Sequence, residues 1–234
     1  MNEATADATR AAIGRAGGLT VYELFAAQAR DRPSATAILQ GDIAITYAEL
    51  DGRVRRLAAA LAARGLGRGS VIALLSENRH EYAEIQLAAA RLGAVVACQN
   101  WRLSRTELAH CVALVGPALL IASQRFAEAA AALDIDVPRL VIERDYAELI
   151  AAAPDEVPPV AAEPEDPLIV LYTSGTTGLP KGAAISHRAE IARNAVLRMD
   201  MRATEADGFV AWAPMFHMGS TDQVLGALMS GSTV

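Results

Sequence analysis

Short apolar runs alternate with stretches of helical pattern along most of this chain, and this alternation constrains the fold more than any other feature. The runs Val71–Leu75 and Leu119–Ala122 are apolar throughout, which is typical of strands buried on both faces of a sheet. A helical stretch follows each run, at about 79–92 and 126–133. Strand, helix and strand in repetition predict a layered α/β/α fold with a largely parallel sheet.

Three predicted helix starts carry a hydroxyl residue followed three positions later by glutamate. They are Thr20 with Glu23, Thr46 with Glu49, and Ser104 with Glu107. In such a capping box the two side chains satisfy backbone N–H groups that the first turn leaves without partners. The second helix repeats apolar residues at helical spacing, at Leu50, Val54, Leu57 and Leu61. This spacing predicts one buried helix face, and Gly65 marks the expected end of the helix.

Further strands are predicted where short apolar or β-branched runs lie between turn residues. They are Thr36–Gln40 and Ile43–Thr46, paired as a hairpin, and the segments 94–97, 140–143, 168–173 and 182–185. Helices are predicted at about 188–199 and 221–229. The last residues, 231–234, have the pattern of one more strand. Because a lone short strand has no partner, we expect the chain to be a fragment of a longer protein.

A Pro-rich, acidic segment at 153–167 divides the sequence. It holds five acidic residues and no Lys or Arg, so it accounts for most of the net charge of −6. We expect an amino-terminal extension at 1–18, a first α/β subdomain at 19–152, a linker at 153–167, and the start of an incomplete further subdomain at 168–234.

The charge and cysteine pattern narrows the classes of function. With the acidic segment set aside the chain is nearly neutral, which does not favour a nucleic-acid-binding surface. Cys98 and Cys111 have no companions at metal-ligand spacing and fit a reducing cytosol. The acidic start has no apolar signal core, and the longest apolar stretch is too short to span a bilayer. We therefore expect a cytoplasmic protein without an integral membrane segment.

The segment Leu-Tyr-Thr-Ser-Gly-Thr-Thr-Gly-Leu-Pro-Lys-Gly, at 171–182, concentrates groups that bind phosphate. Its hydroxyls and lysine are donors, and its glycines let backbone N–H groups converge on an anion. The predicted phosphate-binding residues are Thr173, Ser174, Gly175, Thr176, Thr177, Gly178 and Lys181. Donors and one cation on a loop between two strands indicate a polyphosphate site. An ordinary Gly/Thr hairpin without a ligand is the alternative.

This loop differs from two common nucleotide-binding signatures. A Walker loop needs Gly before Lys and Ser or Thr after it, whereas Pro180 precedes Lys181 and Gly182 follows. The Gly-rich stretch at 65–69 follows a predicted helix and precedes a strand, which is the wrong context for a dinucleotide fingerprint.

The loop, with Ser186-His187-Arg188 shortly after it, resembles the signature of the AMP-forming superfamily. Members of this superfamily include acyl-CoA synthetases, nonribosomal peptide adenylation domains and firefly luciferase. Other family stretches match in the same order, at 46–50, 93–95, 100–103 and 213–219, so the resemblance covers the chain from about Leu19 onward. It implies the amino-terminal part of the large α/β domain of an acyl-CoA synthetase.

The resemblance also implies a reaction. Family members join a carboxylic acid to ATP, giving an acyl-adenylate and pyrophosphate, and many pass the acyl group to coenzyme A. It implies that 173–178 and Lys181 bind the phosphates, that Thr173 is associated with Mg²⁺, and that His217 lies near the reacting carboxylate. Lys181 and His217 are thus the candidate catalytic residues. Peptide-synthetase domains usually carry an Asp within the stretch equivalent to 214–219, so a fatty or aromatic acid is expected.

Three later family elements are absent from this sequence: a Tyr-Gly-x-Thr-Glu segment, the ribose-binding Asp, and a small carboxy-terminal domain with a catalytic lysine. The chain is therefore expected to need that carboxy-terminal part and to be inactive alone. A non-catalytic nucleotide-binding or interaction module, and an adenylation domain from another branch, are the alternatives. The other conspicuous side chains are expected to be structural or packing residues, namely His80, His110, His187, Trp101, Arg102, Phe216 and Met218.

Overall fold

A six-stranded sheet organises the part of the chain that this computed structural model describes, residues 17–173 and 178–234. In chain order the strands are β1 (Thr36–Gln40), β2 (Ile43–Thr46), β3 (Val71–Leu75), β4 (Val95–Cys98), β5 (Leu119–Ala122), β6 (Arg139–Val141), β7 (Pro167–Thr173) and β8 (Lys181–Ser186). The helices are α1 (Val21–Asp31), α2 (Tyr47–Ala63), α3 (His80–Leu92), α4 (Arg105–Val115), α5 (Ala127–Ala131), α6 (Ile142–Ala151), α7 (His187–Met201) and α8 (Met218–Met229). A 3₁₀ turn at Gln124–Phe126 precedes α5.

The large sheet has the strand order β6-β5-β3-β4-β7-β8. The first five strands of this order run parallel, and β8 is antiparallel to β7. On β3, Ile72 and Leu74 pack in a core with α1, α2 and α3, whereas Ala73 and Leu75 pack with α4 and α5. Because successive residues of a strand point to opposite faces, helices cover both faces of the sheet. The predicted α/β/α fold with a largely parallel sheet is confirmed.

The helix starts follow the sequence signals. All three predicted capping boxes are present, each with reciprocal hydrogen bonds between the hydroxyl residue and the glutamate. The predicted buried face of α2 is an apolar stripe formed by Leu50, Val54, Leu57 and Leu61, and none of these four side chains is exposed to solvent. Each such side chain stabilises the fold by about 1.5–3 kcal/mol relative to an exposed one. With 17 residues α2 is the longest described helix, and none of the described helices is both long and apolar enough to cross a membrane.

The predicted hairpin forms as a separate two-stranded sheet. β1 and β2 pair antiparallel around Gly41, which has a φ of +57°. The prediction of a regular strand at 231–234 is wrong, because that segment has no strand assignment. Val234 nevertheless pairs with β1: its N–H donates to the Ala37 carbonyl at 2.9 Å, and its carbonyl accepts from the Leu39 N–H at 2.7 Å.

The predicted strand at 140–143 is wrong in its bounds. β6 ends at Val141, and α6 begins at Ile142. Ile142, Tyr146 and Leu149 are buried on one face of α6, which is the period of a helix. The Asp145 carboxylate also accepts a hydrogen bond from the Val141 N–H at 2.7 Å. Residues 142 and 143 therefore belong to the helix, because the burial of α6 on one face and this hydrogen bond at its start favour a helix over a longer strand.

The acidic segment 153–167 lies against the body of the fold. Arg91 donates to a backbone carbonyl of this segment at 2.7 Å. Arg68 forms ion pairs with Glu163 and Asp166, both at 2.8 Å. Exposed ion pairs of this kind contribute little individually to stability. The domain boundaries at 18, 152 and 167 stay predictions.

Candidate functional site

The predicted phosphate loop connects the last two strands of the sheet. β7 ends at Thr173 and β8 begins at Lys181, and these two residues face each other in the antiparallel register. Both are exposed. The predicted donors Ser174, Gly175, Thr176 and Thr177 lie outside the described residues. The structure therefore brings one hydroxyl and one ammonium group together at the base of the loop.

Lys181 is chemically distinct within this chain. The sequence has 21 lysine and arginine residues, and Lys181 is the only lysine among them. An ammonium group is a compact charge with three donors on a flexible stem, which suits phosphate oxygens. Gly178, also a predicted phosphate contact, has a φ of +114°, a conformation that favours glycine. Pro180, directly before Lys181, is buried.

The base of the loop rests on α4. The Tyr172 hydroxyl donates to the Cys111 carbonyl at 2.9 Å and accepts from the Gln99 side-chain amide at 3.0 Å. Burial raises the pKa of Tyr172 well above its ordinary value, so the phenol stays protonated and can donate. On the outgoing side, the His110 ring lies 3.1 Å from the Pro180 carbonyl oxygen. His110 was expected to be structural, and its contact is with the backbone of the loop.

The second candidate region is the segment 213–219 before and at the start of α8. His217 is the N-cap residue of α8 and is exposed, and its ring centroid lies 4.8 Å from that of Phe216. Phe216 is buried, as expected for a packing residue. His217 therefore lies on a different element from Thr173 and Lys181.

Asn78 holds this segment in place, and the sequence reasoning missed it. Its side-chain amide donates to the Ala211 and Ala213 carbonyls at 2.8 and 2.7 Å, and its carbonyl oxygen accepts from the Met215 N–H at 2.8 Å. The available signal was position: Asn78 follows the carboxyl end of β3, the edge of a parallel sheet where functional residues gather.

Aromatic and guanidinium groups stack beside this segment. The Trp101 ring stacks on Phe126 and meets Phe216 edge-on, both at 5.6 Å between centroids. The guanidinium groups of Arg102 and Arg125 lie 5.0 and 5.4 Å from the Trp101 ring centroid. Trp101 is half-buried, which agrees with the expected packing role.

A buried polar cluster joins α7 to α8, and no sequence signal had pointed to it. The Asn194 amide donates to Glu190 at 3.0 Å and to Asp222 at 3.1 Å, and Arg193 donates to Asp222 at 2.6 Å. Burial, followed by the neighbouring Asp222 charge, raises the pKa of Glu190 to about 9. α7 follows directly after β8, and α8 follows directly after His217. The cluster therefore connects the helix that follows the phosphate loop and β8 with the helix that begins after His217.

His187 has a structural position, as expected. It is fully buried, and its Nδ1 accepts a hydrogen bond from the Val21 N–H at 3.2 Å. Burial lowers the pKa of His187 to about 4, so the ring is neutral and can accept. Within residues 17–173 and 178–234 there is no group of three or more His, Cys, Asp or Glu side chains that could hold a metal ion.

Comparison with known proteins places this geometry in a family. The sequence model of a family described as AMP-binding enzyme matches residues 25–234. A feruloyl-CoA synthase from Amycolatopsis sp is 39% identical over 211 residues, which cover 88% of this chain and 42% of that protein. An indoleacetate–CoA ligase from Aromatoleum aromaticum is 37% identical over 214 residues, covering 86% of this chain and 42% of that ligase.

Solved structures agree with the sequence relatives. A fatty acyl CoA synthetase from Mycobacterium tuberculosis superposes with a TM-score of 0.84 at 26% identity, over 92% of this chain and 44% of the synthetase. This chain thus spans less than half the length of each of these proteins. Since the family match runs from within α1 through the candidate loop to Val234, the chain belongs to the AMP-binding enzyme family.

Proposed function

We propose that this chain supplies the phosphate-binding part of an enzyme that activates a carboxylic acid with ATP, releases pyrophosphate, and transfers the acyl group to coenzyme A. The observation that carries the proposal is the facing pair of Thr173 and Lys181 at the base of a Gly- and Thr-rich loop. Family membership supports it. Because the matched relatives extend well beyond this chain, the activity belongs to the whole protein, and we expect little or no turnover by the chain alone.

The first step of this reaction brings two anions together, a carboxylate and a triphosphate. The Lys181 ammonium group offsets their repulsion and stabilises the charge that moves onto the leaving pyrophosphate. The hydroxyl and N–H groups of residues 173–178 add neutral donors. Since Lys181 is exposed, its charge is hydrated until the nucleotide covers it, and the interaction strengthens as water is excluded.

We assign a magnesium ion to the same site, held mainly by the nucleotide. Mg²⁺ usually keeps several waters and binds substrate phosphates with only one or two protein oxygens. The exposed Thr173 hydroxyl fits that limited role. The described residues offer no acidic cluster that would hold the ion without nucleotide. When bound, the ion supplies positive charge that neutralises the phosphates.

We assign the acid's carboxylate to the neighbourhood of His217. The His217 ring is exposed at the N-cap of α8, and a helix N-terminus favours a negative charge because its first N–H groups carry partial positive charge. A fatty or aromatic acid is our choice of substrate. The names of the relatives, a feruloyl-CoA synthase, an indoleacetate–CoA ligase and a fatty acyl CoA synthetase, support that choice.

The reaction is tested by pyrophosphate release with ATP, coenzyme A and a panel of fatty and aromatic acids. The assay compares this chain with the full-length product of its gene. We expect release from the full-length protein alone, with the acid that supports release naming the substrate class. Release from neither protein, with Mg-ATP still bound, would favour a non-catalytic nucleotide-binding module.

The phosphate role is tested by replacing Lys181 with alanine and measuring Mg-ATP affinity. Hydrogen bonds to charged groups contribute about 1.5–3 kcal/mol, so the Kd should rise roughly tenfold to a hundredfold. Arg144→Ala removes one exposed positive charge from α6 and is the matched control. An unchanged Kd in Lys181→Ala, or an equal rise in Arg144→Ala, would refute the assigned role.

A further inference from the structure

We propose that α4 positions the phosphate loop and that His110 is the positioning residue; this inference rests on the proposed role of the loop. The His110 Nε2 atom lies 3.1 Å from the Pro180 carbonyl oxygen, and Pro180 immediately precedes Lys181. A carbonyl oxygen only accepts, so Nε2 carries the hydrogen and donates it. The contact joins residues 70 positions apart in the sequence, and it therefore ties the loop to a separate element of the fold.

α4 contacts both sides of the loop. On the incoming side, the Tyr172 hydroxyl donates to the carbonyl of Cys111, the residue next to His110. On the outgoing side, a β-carbon built on Gly182 would lie 3.6 Å from a methyl carbon of Leu114. Tyr172 precedes Thr173, and Gly182 follows Lys181. One helix therefore contacts the chain next to Thr173 and next to Lys181, which are two of the predicted phosphate ligands.

A hydrogen bond to the Pro180 carbonyl oxygen can fix the orientation of the loop backbone at this position. Proline has no N–H, so its carbonyl is its only hydrogen-bonding backbone group. The peptide unit between Pro180 and Lys181 is planar. No described peptide bond is cis, so a carbonyl that points toward α4 sends the Lys181 N–H to the opposite side. His110 thereby sets the orientation of the backbone from which the Lys181 side chain leaves.

His110 contacts loop backbone in this arrangement, so its effect should reach the nucleotide through loop geometry. Replacing His110 with leucine removes the donor at similar size. We expect the Kd of Mg-ATP to rise about threefold to tenfold, the range for one neutral hydrogen bond. His110→Gln restores a donor of similar reach and should recover most of the affinity. Backbone amide exchange at Lys181 and Gly182 should accelerate in His110→Leu and return toward wild type in His110→Gln.

Glu107→Ala is the matched control for general weakening of α4. It removes the capping box of the same helix and leaves the contact between His110 and Pro180 in place. The inference is supported if Glu107→Ala keeps the wild-type Mg-ATP affinity and the wild-type rate of amide exchange in the loop, whereas His110→Leu changes both. Equal effects in the two variants, or none in His110→Leu, would overturn it. If the full-length wild-type protein binds no Mg-ATP, the proposed function fails, and amide exchange alone decides whether His110 positions the loop.

Discussion

Glu190 in the cluster between α7 and α8 gives a direct test of the electrostatics of this fold. It is fully buried, and its Oε2 has no donor facing it among the described residues. A proton on Glu190 lets this carboxyl donate to the adjacent Asp222. Glutamine has the same shape, and its amide can accept from Asn194 and donate to Asp222 without a titrating proton. We therefore expect Glu190→Gln to fold and to lose one component of the pH dependence of stability.

The sign and size of that component follow from the pKa values. Burial raises the pKa of Glu190 from 4.5 to about 9. Between these values the folded chain binds one more proton than the unfolded chain, so the free energy of unfolding falls as pH rises. The stabilising contribution of the bound proton is fully present below the unfolded pKa and is lost as pH passes the folded pKa. The slope is at most about 1.4 kcal/mol per pH unit, or about 2.5 kcal/mol between pH 6 and 8.

The assay is urea unfolding at intervals between pH 6 and 8. The free energy of unfolding of wild type should fall relative to that of Glu190→Gln across this range, because other titrating groups contribute equally to both. Glu148→Gln, at an exposed position of α6, is the matched control and should follow wild type. Parallel wild-type and Glu190→Gln profiles would show that Glu190 does not hold a proton in the folded chain, and would refute the reasoning.

Four further substitutions test the packing of the fold by urea unfolding. Leu57→Ala, in the buried stripe of α2, should lower the free energy of unfolding by about 2–5 kcal/mol; a loss below 1 kcal/mol would contradict the core assignment. Asn78→Ala, which removes three hydrogen bonds to 211–215, should cost about 1–3 kcal/mol and speed amide exchange in that segment. Gly226→Ala would place a β-carbon 1.9 Å from the Asn194 Oδ1 and should destabilise by about 1–3 kcal/mol. Gly52→Ala in α2 is the control, because its β-carbon would meet nothing within 4 Å. It should raise the free energy of unfolding by roughly 1 kcal/mol. Equal effects of the two glycine substitutions would count against the close approach of α7 and α8.

The sequence predicted what depends on local pattern. The capping boxes, the α2 stripe and the β1–β2 hairpin were confirmed because each rests on residues a few positions apart. The end of β6 was misplaced because an apolar run of a few residues fits a strand or a helix start equally well. The antiparallel direction of β8 follows from its connection to β7, which is too short for a parallel crossover.

The contacts that position the candidate site were largely invisible in the sequence. Asn78 lies more than 130 positions from the segment that it holds, and Glu190 lies 32 positions before Asp222. His110 occupies an ordinary helical position, and its contact with Pro180 depends on the packing of α4 against the end of the sheet. Local patterns carry no information about such pairs. The roles of Thr173, Lys181 and His217 in binding stay predictions.

The antiparallel placement of β8 determines which forces can hold a nucleotide at this loop. The chain leaves the loop along β8, a strand of six residues at the edge of the sheet in the described part of the chain. α7 begins at His187, roughly 20 Å from the loop along this strand. A helix dipole acts only within about one turn of its end, so the amino terminus of α7 gives no attraction at the loop. The charge attraction there should consequently come from the Lys181 ammonium group and the magnesium ion assigned above, and it should weaken as ionic strength rises. Opening the loop would break its contacts with α4 at Pro180 and Tyr172 as well as hydrogen bonds along β8.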